Sequence, residues 1–351
     1  MKGRDFSLLF ISLTIRLSQA FRFTDLSNSR PKMSLKLESS AKNAKTPPRI
    51  YDSLFTYIED TQTALGVPFG RLLDAGTGSH SLRWIAGLIH HVRKVGTEQE
   101  TSEENEMVTN PLSINSYTAI TADENMRRTV FEESLELKIE DKGDILIGNW
   151  ASTSHAPAYT KDSASKSHYL LDGQKYDTII ADYLIGAMDG FSPYYQDQIF
   201  DRLSNHLNPG GYLYIVGLEP ISDSVTGTNE RDDNSGLITR VAQVRDACIL
   251  LAGHRCYREY PLTWIVRQLE KTGFEVTEKK KFPIMYSHQT ICRQIRVARS
   301  KLRFFKTEQL KEGMREVLDQ LEAESEQLTE KSNTGRIRFG FDYVVCARRI
   351  G

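Results

Sequence analysis

The stretch LLDAGTGSHSL, from Leu72 to Leu82, limits the folds open to this chain more than any other feature. It joins a short apolar run to a turn containing Gly76 and Gly78, and the turn leads into a segment with helical apolar spacing. A buried strand, a glycine turn and a helix form the first unit of a doubly wound parallel sheet. Glycines at such a turn let a ligand approach the backbone, and the following helix offers free N–H groups.

Asp74, two residues before Gly76, indicates which kind of ligand this turn suits. Dinucleotide turns usually have an apolar residue before the first glycine and a third glycine, whose place Ser81 takes here. A carboxylate repels a pyrophosphate and attracts an ammonium group. Asp123 follows the next predicted strand, YTAITA, where a carboxylate can accept both ribose hydroxyls. S-adenosylmethionine meets both demands, whereas NAD meets only the second.

Strand and helix patterns continue to alternate after this first unit. Further strands are predicted at YTAITA, GDILIGNW, KYDTIIADYLIGA, YLYIVGLEP, FEVTEKKKF and FGFDYVVCARR, with helical patterns between most of them. About seven strands and at least six helices result. This predicts an α/β fold with a doubly wound, mostly parallel sheet.

Several of these motifs together resemble the class I S-adenosylmethionine-dependent methyltransferases. LLDAGTGS is similar to the first motif of that family, acid-x-Gly-x-Gly, with His80 at the third family glycine. ITADENM is similar to the second-strand acid, LNPGGYLYIVGLEP to the fifth strand, and FDYVVCARR to the last, antiparallel strand. The resemblance covers Leu72 to Gly217 by motif and reaches Arg349 by strand order. It implies a seven-stranded Rossmann-like methyltransferase fold, S-adenosyl-L-methionine as cofactor, and methyl transfer.

The resemblance also implies which residues hold the cofactor and surround the reacting methyl group. The predicted cofactor-binding residues are Asp74, Gly76, Thr77, Gly78, Asp123, Asn149 and Trp150. Asn149 stands where the family usually has an adenine-contacting aspartate, and Trp150 can pack on the ring. Asp182 and Tyr183, after the fourth strand, are predicted to be catalytic. The alternatives are a helix cap for Asp123, a strand-end turn and a core aromatic for Asn149 and Trp150, and a loop cap for Asp182.

The acceptor pocket is predicted in GHRCYREYPLTW, a segment dense in histidine, arginine and aromatic residues. Its predicted substrate-binding residues are Arg255, Tyr257, Arg258 and Trp264, with an arginine holding a carboxylate; the alternative is an ordinary helix surface. We expect a small polar acceptor methylated at nitrogen or oxygen. One alternative is a methyltransferase for RNA or protein, supported only by an arginine series from Arg293 to Arg303. Another is a non-catalytic binding protein that retains the fold.

The charge balance and the cysteines narrow the partners further. Lys and Arg number 45 against 46 Asp and Glu, so the overall charge gives no support to a nucleic-acid partner. The four cysteines form no Cys-x-x-Cys pair and no disulfide-like spacing. We therefore predict no metal site and a reducing compartment. The oligomeric state is left open.

Residues 1–45 are expected to lie outside a methyltransferase domain of residues 46–351. They have a basic start, a short apolar run and then a basic, serine-rich stretch, which resembles the two-part plastid presequence of some algae. The alternative is a poorly ordered tail on a cytoplasmic protein. The apolar run is too short to span a membrane. A helical insertion at about residues 282–340 is predicted to cover the ligand edge of the sheet as a lid.

Overall fold

One seven-stranded sheet organises the residues that this computed structural model describes, which are 52–98, 110–151, 170–221 and 233–351. The strands are β1 Gly70–Asp74, β2 Ile114–Thr121, β3 Gly143–Ile147, β4 Tyr176–Asp182, β5 Leu207–Leu218, β6 Phe274–Ser287 and β7 Arg336–Arg349. Their order in the sheet is β3-β2-β1-β4-β5-β7-β6. Strands β1 to β5 pair in parallel, and β7 runs antiparallel to both of its neighbours. The predicted α/β sheet is confirmed.

Helices cover both faces of this sheet. They are α1 Ser53–Leu65, α2 Ser79–Glu98, α3 Glu124–Leu137, α4 Leu184–Phe191, α5 Ile199–His206, α6 Asp233–Leu251, α7 Leu262–Lys271, α8 His288–Lys301 and α9 Glu308–Lys331. Successive strand residues point to opposite faces. Leu72 and Ile180 pack in a core with α1, α2 and α3. Their neighbours Leu73 and Ile179 pack with α4, α5 and α7 on the other face.

A third apolar core lies beyond the sheet, between α6, α8 and α9. Its fully or nearly fully buried members include Leu237, Ile295 and Leu318, one from each helix. We call these three helices the helical cap. Two of them, α8 and α9, lie within the segment predicted to form a lid, where they run from His288 to Lys331. The residues on either side of them continue β6 and β7 as a paired ribbon, in which Ser287 faces Arg336.

The strand order places a ligand crevice between β1 and β4. The order β3-β2-β1 runs one way and β4-β5 the other, so the sheet reverses direction at this point. Open α/β sheets bind ligands outside the carboxyl ends of their strands at such a reversal. Asp74 ends β1 and Asp182 ends β4, so both carboxylates lie at this crevice.

Some sequence-based predictions concern parts of the chain outside the described residues. The presequence-like segment 1–45 lies there, together with most of the two polar insertions, at residues 99–109 and 152–169. Among the described residues, no helix is long and apolar enough to cross a membrane. The same residues contain no cluster of ligating side chains that could hold a metal ion.

Candidate cofactor and acceptor site

Asp74 forms the base of the turn after β1 and is fully buried. Neither of its carboxylate oxygens has a hydrogen-bond partner among the described residues. The Thr77 hydroxyl donates to the Asp74 carbonyl (3.1 Å) and the Ser81 hydroxyl to the Gly78 carbonyl (3.1 Å), so both protons are already used. Burial raises the pKa of Asp74 to about 6, although the nearby Ser81, Thr77 and Gly76 partly offset this effect.

The turn itself is anchored to the strands on both sides of β1. The Ala75 N–H donates to the Ile180 carbonyl of β4 and the Thr77 N–H to the Ile120 carbonyl of β2, each at 2.8 Å. Gly76 is needed for close packing, because a Cβ there would lie 3.0 Å from Cδ1 of Leu184. The turn is therefore a fixed shape, and its N–H groups and carboxylate are in place before any ligand arrives.

Helix α1 packs against the start of α2. This contact accommodates His80, which stands where the first methyltransferase motif has its third glycine. His80 lies mostly buried with its ring centroid 5.1 Å from that of Phe55. Its Nε2 is 3.7 Å from the carboxylate of Asp52, which also caps α1 by accepting from the Leu54 N–H. Burial lowers the pKa of His80, and the Asp52 charge opposes this shift. His80 thus fills the space between two helices beside the turn.

Asp182 and Tyr183 form the corresponding turn after β4. The Oδ1 atom of Asp182 is buried without a hydrogen-bond partner in the described chain. Burial raises the pKa of Asp182 well above its usual range, and the charges of Asp74, Asp52 and Asp342 raise it further. Carboxylates gathered in this way disfavour one another's ionisation and favour a cation between them.

Tyr183 has a left-handed backbone conformation, with φ of 50°, which bulky residues seldom adopt. Its hydroxyl is buried, and no hydrogen-bond partner for it is found among the residues described. Burial and the neighbouring charges of Asp342 and Asp182 raise the pKa of Tyr183 well above its usual range. The sharp turn places these consecutive residues in different walls, Asp182 in one cleft and Tyr183 in another.

The first cleft, which we call the glycine-turn cleft, spans the carboxyl ends of β1 to β4 and the start of α4. Its walls are Ala75, Gly76, Ile120, Thr121, Ala122, Gly148, Asn149, Trp150, Asp182, Leu184, Ala187, Met188, Phe191 and Ser192. Gly76, Asn149, Trp150 and Asp182, predicted from the sequence, therefore meet in one place. Asp74 and Thr77 are buried next to this wall without forming part of it.

Asn149 and Trp150 have defined orientations in this wall. The Asn149 Oδ1 accepts from the Ala151 N–H (2.9 Å) and from the Ser192 hydroxyl (2.8 Å). A backbone N–H can only donate, so Oδ1 is the acceptor and Nδ2 remains as a donor. Trp150 is 5% exposed, and its indole N–H donates to the Ala75 carbonyl at 2.6 Å. Trp150 therefore ties the end of β3 to the glycine turn.

Asp123 occupies a different position from the one expected of a strand-end acid. Strand β2 ends at Thr121, and Asp123 caps α3 by accepting from the Met126 N–H at 2.9 Å. Thr121, which the sequence-based reasoning missed, lies in the wall of the glycine-turn cleft, and Asp123 does not. One oxygen of Asp123 is committed to the cap, and the ribose contact remains a prediction for the other.

The second cleft, which we call the cap cleft, lies between the sheet edge and the helical cap. Its walls are Tyr183, Leu218, Ile221, Ile238, Val241, Ala242, Arg245, Ile284, Tyr286, Thr290, Ile291, Gln294 and Asp342. They come from β4 to β7 and from α6 and α8. Except for Tyr183, none of these residues was singled out from the sequence.

Arg255 and Arg258, predicted to bind substrate, lie elsewhere. The Arg255 Nε donates to the Asp189 carbonyl (3.0 Å), and its guanidinium lies 3.4 Å from the Asp189 carboxylate. The Arg258 backbone N–H donates to the Gly186 carbonyl at 3.4 Å. Both arginines thus attach their segment to α4. Neither lines either of the two clefts.

Tyr257 and Trp264 are likewise packing residues of this segment. The Tyr257 ring fills the space beside Gly190, where an added Cβ would lie 2.7 Å from the ring. Trp264 packs against Tyr260 and Phe200, with ring centroids 4.4 and 5.9 Å away. Aromatic density serves core packing as well as it serves a pocket, and the substrate role of these residues stays a prediction. The structure does not bring the four predicted substrate residues to either cleft.

One member of the arginine series, Arg299, faces the neighbouring helix. Arg299 pairs with Asp319 and Glu322 of α9, at 2.5 Å in each case. Arg296 donates to the Cys292 carbonyl at 3.4 Å. Arg299 therefore joins two helices of the cap.

No model of a known protein family matches the sequence, and no curated protein matches it. Solved structures do resemble it. An S-adenosylmethionine-dependent methyltransferase from Thiobacillus denitrificans, in complex with S-adenosyl-L-homocysteine, is 16% identical with a TM-score of 0.40, over 86% of this chain and 94% of the other. An S-adenosylmethionine-dependent methyltransferase of Methanosarcina mazei is 11% identical with a TM-score of 0.40, over 82% of this chain and 96% of the other. The YcgJ protein of Bacillus subtilis is 13% identical with a TM-score of 0.43, over 85% of this chain and 99% of the other.

The order and the directions of the strands give the fold directly. Five parallel strands, with β7 inserted antiparallel between β5 and β6, reproduce the arrangement implied by the sequence resemblance. The chain has the fold of the class I S-adenosylmethionine-dependent methyltransferases.

Proposed function

We propose that the protein transfers a methyl group from S-adenosyl-L-methionine to a nitrogen or an oxygen of a small molecule. The observation that carries this proposal is Asp74, a fully buried carboxylate beside the glycine turn whose two oxygens have no hydrogen-bond partner in the described part of the chain. Burying such a group without a partner is costly, and a bound cation would remove the cost. The α-ammonium group of S-adenosylmethionine supplies that charge at this crevice, through a bridging water or directly.

The other groups of the glycine-turn cleft fit the remainder of the cofactor. The Nδ2 of Asn149 can donate to a ring nitrogen of adenine, and the apolar side chains of Trp150 and Met188 can pack on its faces. Asp123, Thr121 or both can accept from the ribose hydroxyls. Asp74 and Asp182 would repel a pyrophosphate, which argues against a nicotinamide dinucleotide.

The cofactor, when bound, supplies a methyl group on a positively charged sulfur that leaves readily. The protein then needs chiefly to align the acceptor with that methyl group and to exclude water. Asp182 and Tyr183 stand between the two clefts, so an acceptor in the cap cleft would meet the methyl group at this boundary. The raised pKa of Asp182 makes its ionised Oδ1 a stronger base for taking the acceptor's proton.

The acceptor expected from the sequence was a small polar molecule. The cap cleft instead offers mainly aliphatic walls, with its polar groups concentrated at Tyr183, Tyr286, Arg245, Gln294 and Asp342. We therefore favour an acceptor with one polar end and an apolar remainder over a uniformly polar molecule.

The proposal is tested by calorimetric titration of the full chain with S-adenosylmethionine, S-adenosylhomocysteine and NAD. We expect the first two to bind with one site per chain and NAD not to bind. Transfer of a radiolabelled methyl group is then measured into metabolite, RNA and protein fractions, and we expect label in the metabolites. Absence of S-adenosylhomocysteine binding would end the proposal. Binding without transfer to any fraction would support the non-catalytic alternative, and RNA labelling with a steep salt dependence would support the macromolecular one.

A further inference from the structure

We propose that the acceptor is an amine that carries an apolar body, with its ammonium group held by Asp342, Tyr183 and Tyr286 in the cap cleft. This inference rests on the proposed methyl transfer and specifies its substrate class. It concerns residues that lie far apart in the sequence and meet only in the folded chain.

The apolar part of the acceptor is inferred from the aliphatic walls of the cap cleft. Ile238 and Val241 of α6 are 4% exposed, Ile291 of α8 is 1% exposed, and Leu218 and Ile284 at the strand ends are 5% and 7% exposed. Aliphatic side chains from two helices and two strands thus enclose the space. Such walls stabilise an apolar ligand by removing its surface from water and offer it few polar partners.

The polar end of the acceptor is inferred from Asp342, a half-buried carboxylate in the wall of the cleft. Asp342 lies on β7 between Leu218 of β5 and Phe282 of β6, at the carboxyl end of the sheet. Two tyrosine rings, Tyr183 and Tyr286, line the same cleft. A carboxylate together with aromatic rings is a combination that binds ammonium groups, by charge and by cation–π attraction.

The carboxylate charges near Asp342 also favour a bound cation. Asp182, at the end of β4, lies close enough to Asp342 for the two charges to interact. The buried Tyr183 hydroxyl lies beside the carboxylate of Asp342, so its oxygen can accept from an ammonium N–H that also pairs with Asp342. An anionic acceptor would meet carboxylates on this side of the cleft.

Arg245 is the cationic side chain among the residues that line the cleft, and its charge is engaged. Its guanidinium lies 2.5 Å from the carboxylate of Asp246 and donates to the Gln294 Oε1 at 2.8 Å. A carboxylate or phosphate ligand would have to compete with Asp246 for this group. The balance of charge therefore selects an amine over an acid.

The reaction balances with the residues already named. The bound ammonium passes one proton to the carboxylate of Asp342 or Asp182. The freed lone pair on nitrogen forms the new N–C bond to the methyl carbon of the sulfonium donor, while the C–S bond breaks and sulfur keeps its electron pair. No other reactant is needed.

The test uses matched probes whose binding is measured without any methyl transfer. Hexylamine, 2-phenylethylamine and tryptamine are titrated calorimetrically into the full chain saturated with S-adenosylhomocysteine, each beside the alcohol and the carboxylate of matched size. We expect at least one amine to bind about tenfold or more tightly than its alcohol. Asp342→Asn should remove most of that preference, whereas Asp60→Asn, at an exposed acid on α1, should leave it unchanged.

A second variant tests whether the amine binds in the cap cleft. Val241→Phe fills the cleft from α6, and we expect it to abolish amine binding while S-adenosylhomocysteine still binds. Amines that bind no better than alcohols, carboxylates that bind best, or no probe binding at all would overturn the inference and leave the proposed methyl transfer standing, provided that S-adenosylhomocysteine binds. Absence of S-adenosylhomocysteine binding would instead reject the proposed function itself.

Discussion

The consecutive residues Asp182 and Tyr183 line the glycine-turn cleft and the cap cleft respectively, but the two clefts are built in different ways. The first uses the ends of four neighbouring parallel strands, so its residues follow short motifs along the chain. The second is assembled from strand ends and from α6 and α8, which lie at distant positions in the sequence. The comparison teaches that the glycine-turn cleft is set by local motifs, whereas the cap cleft depends on how separate helices pack.

The largest effect we expect separates the stability of the helical cap from binding in the glycine-turn cleft. Leu318 of α9 is 1% exposed in the apolar core of the cap. Leu318→Ala should lower the free energy of unfolding by about 2–5 kcal/mol through lost contacts and a cavity. The affinity for S-adenosylhomocysteine should stay within about twofold, because no cap residue lines the glycine-turn cleft.

Leu310→Ala serves as the matched control on the same helix. Leu310 is 42% exposed, so its truncation should change the free energy of unfolding by less than about 0.5 kcal/mol. Denaturant unfolding and calorimetry measure the two quantities separately. A large loss of S-adenosylhomocysteine affinity in a folded Leu318→Ala protein would show that the two clefts are not independent.

A smaller effect is expected where Trp150 ties β3 to the glycine turn. Trp150→Phe keeps an aromatic wall but leaves the buried Ala75 carbonyl without its indole donor. We expect a loss of about 1–3 kcal/mol in the free energy of unfolding, together with weaker S-adenosylhomocysteine binding. Trp264→Phe makes the same exchange on α7, where the ring packs against Tyr260 and Phe200, and it should leave S-adenosylhomocysteine binding unchanged. Equal effects of the two substitutions on binding would contradict the role given to Trp150.

The smallest effect distinguishes the two roles of Asp123. Serine also caps helices well, so Asp123→Ser should keep the stability that Asp123→Ala loses, about 1 kcal/mol. If the second carboxylate oxygen contacts the ribose, Asp123→Ser should weaken S-adenosylhomocysteine binding by about threefold to tenfold, measured by calorimetry. An unchanged affinity would restrict Asp123 to the cap of α3 and assign the ribose to Thr121.

The sequence predicted the sheet and much of the glycine-turn cleft because short-range patterns determine both. Gly76, Asn149, Trp150 and Asp182 follow successive strands, and the ends of parallel strands meet at one edge. The predicted strand YTAITA ends at Ala122, one residue beyond the observed end of β2, and Thr121 lines the cleft wall whereas Asp123 does not. Hydrophobic patterns locate strands better than they locate their last residue.

The acceptor side could not be predicted in the same way. The segment that contains Arg255 and Trp264 has the composition of a pocket, yet α4 and the core use those side chains for packing. Asp342 is one polar residue within a strand pattern, and nothing local marks it as part of a cleft. Its role depends on long-range pairing with β5 and β6, and on where α6 and α8 lie.

The most direct test of the central claim is the affinity for S-adenosylhomocysteine as a function of pH, for the wild-type protein and for Asp74→Asn. Asp74, with a pKa of about 6, is mostly protonated in the ligand-free protein at about pH 5 and ionised at about pH 8. Because the ionised form attracts the ligand's ammonium group, wild-type affinity should rise as pH increases through 6. Asp60→Asn, an exposed acid on α1, is the matched control and should follow the wild type.

We expect the wild-type and Asp74→Asn affinities to be similar at about pH 5 and to differ by about tenfold or more at about pH 8. Asp182 remains in both proteins, so the difference between the curves isolates Asp74. Parallel curves, or no binding by the wild-type protein at any pH, would contradict the account.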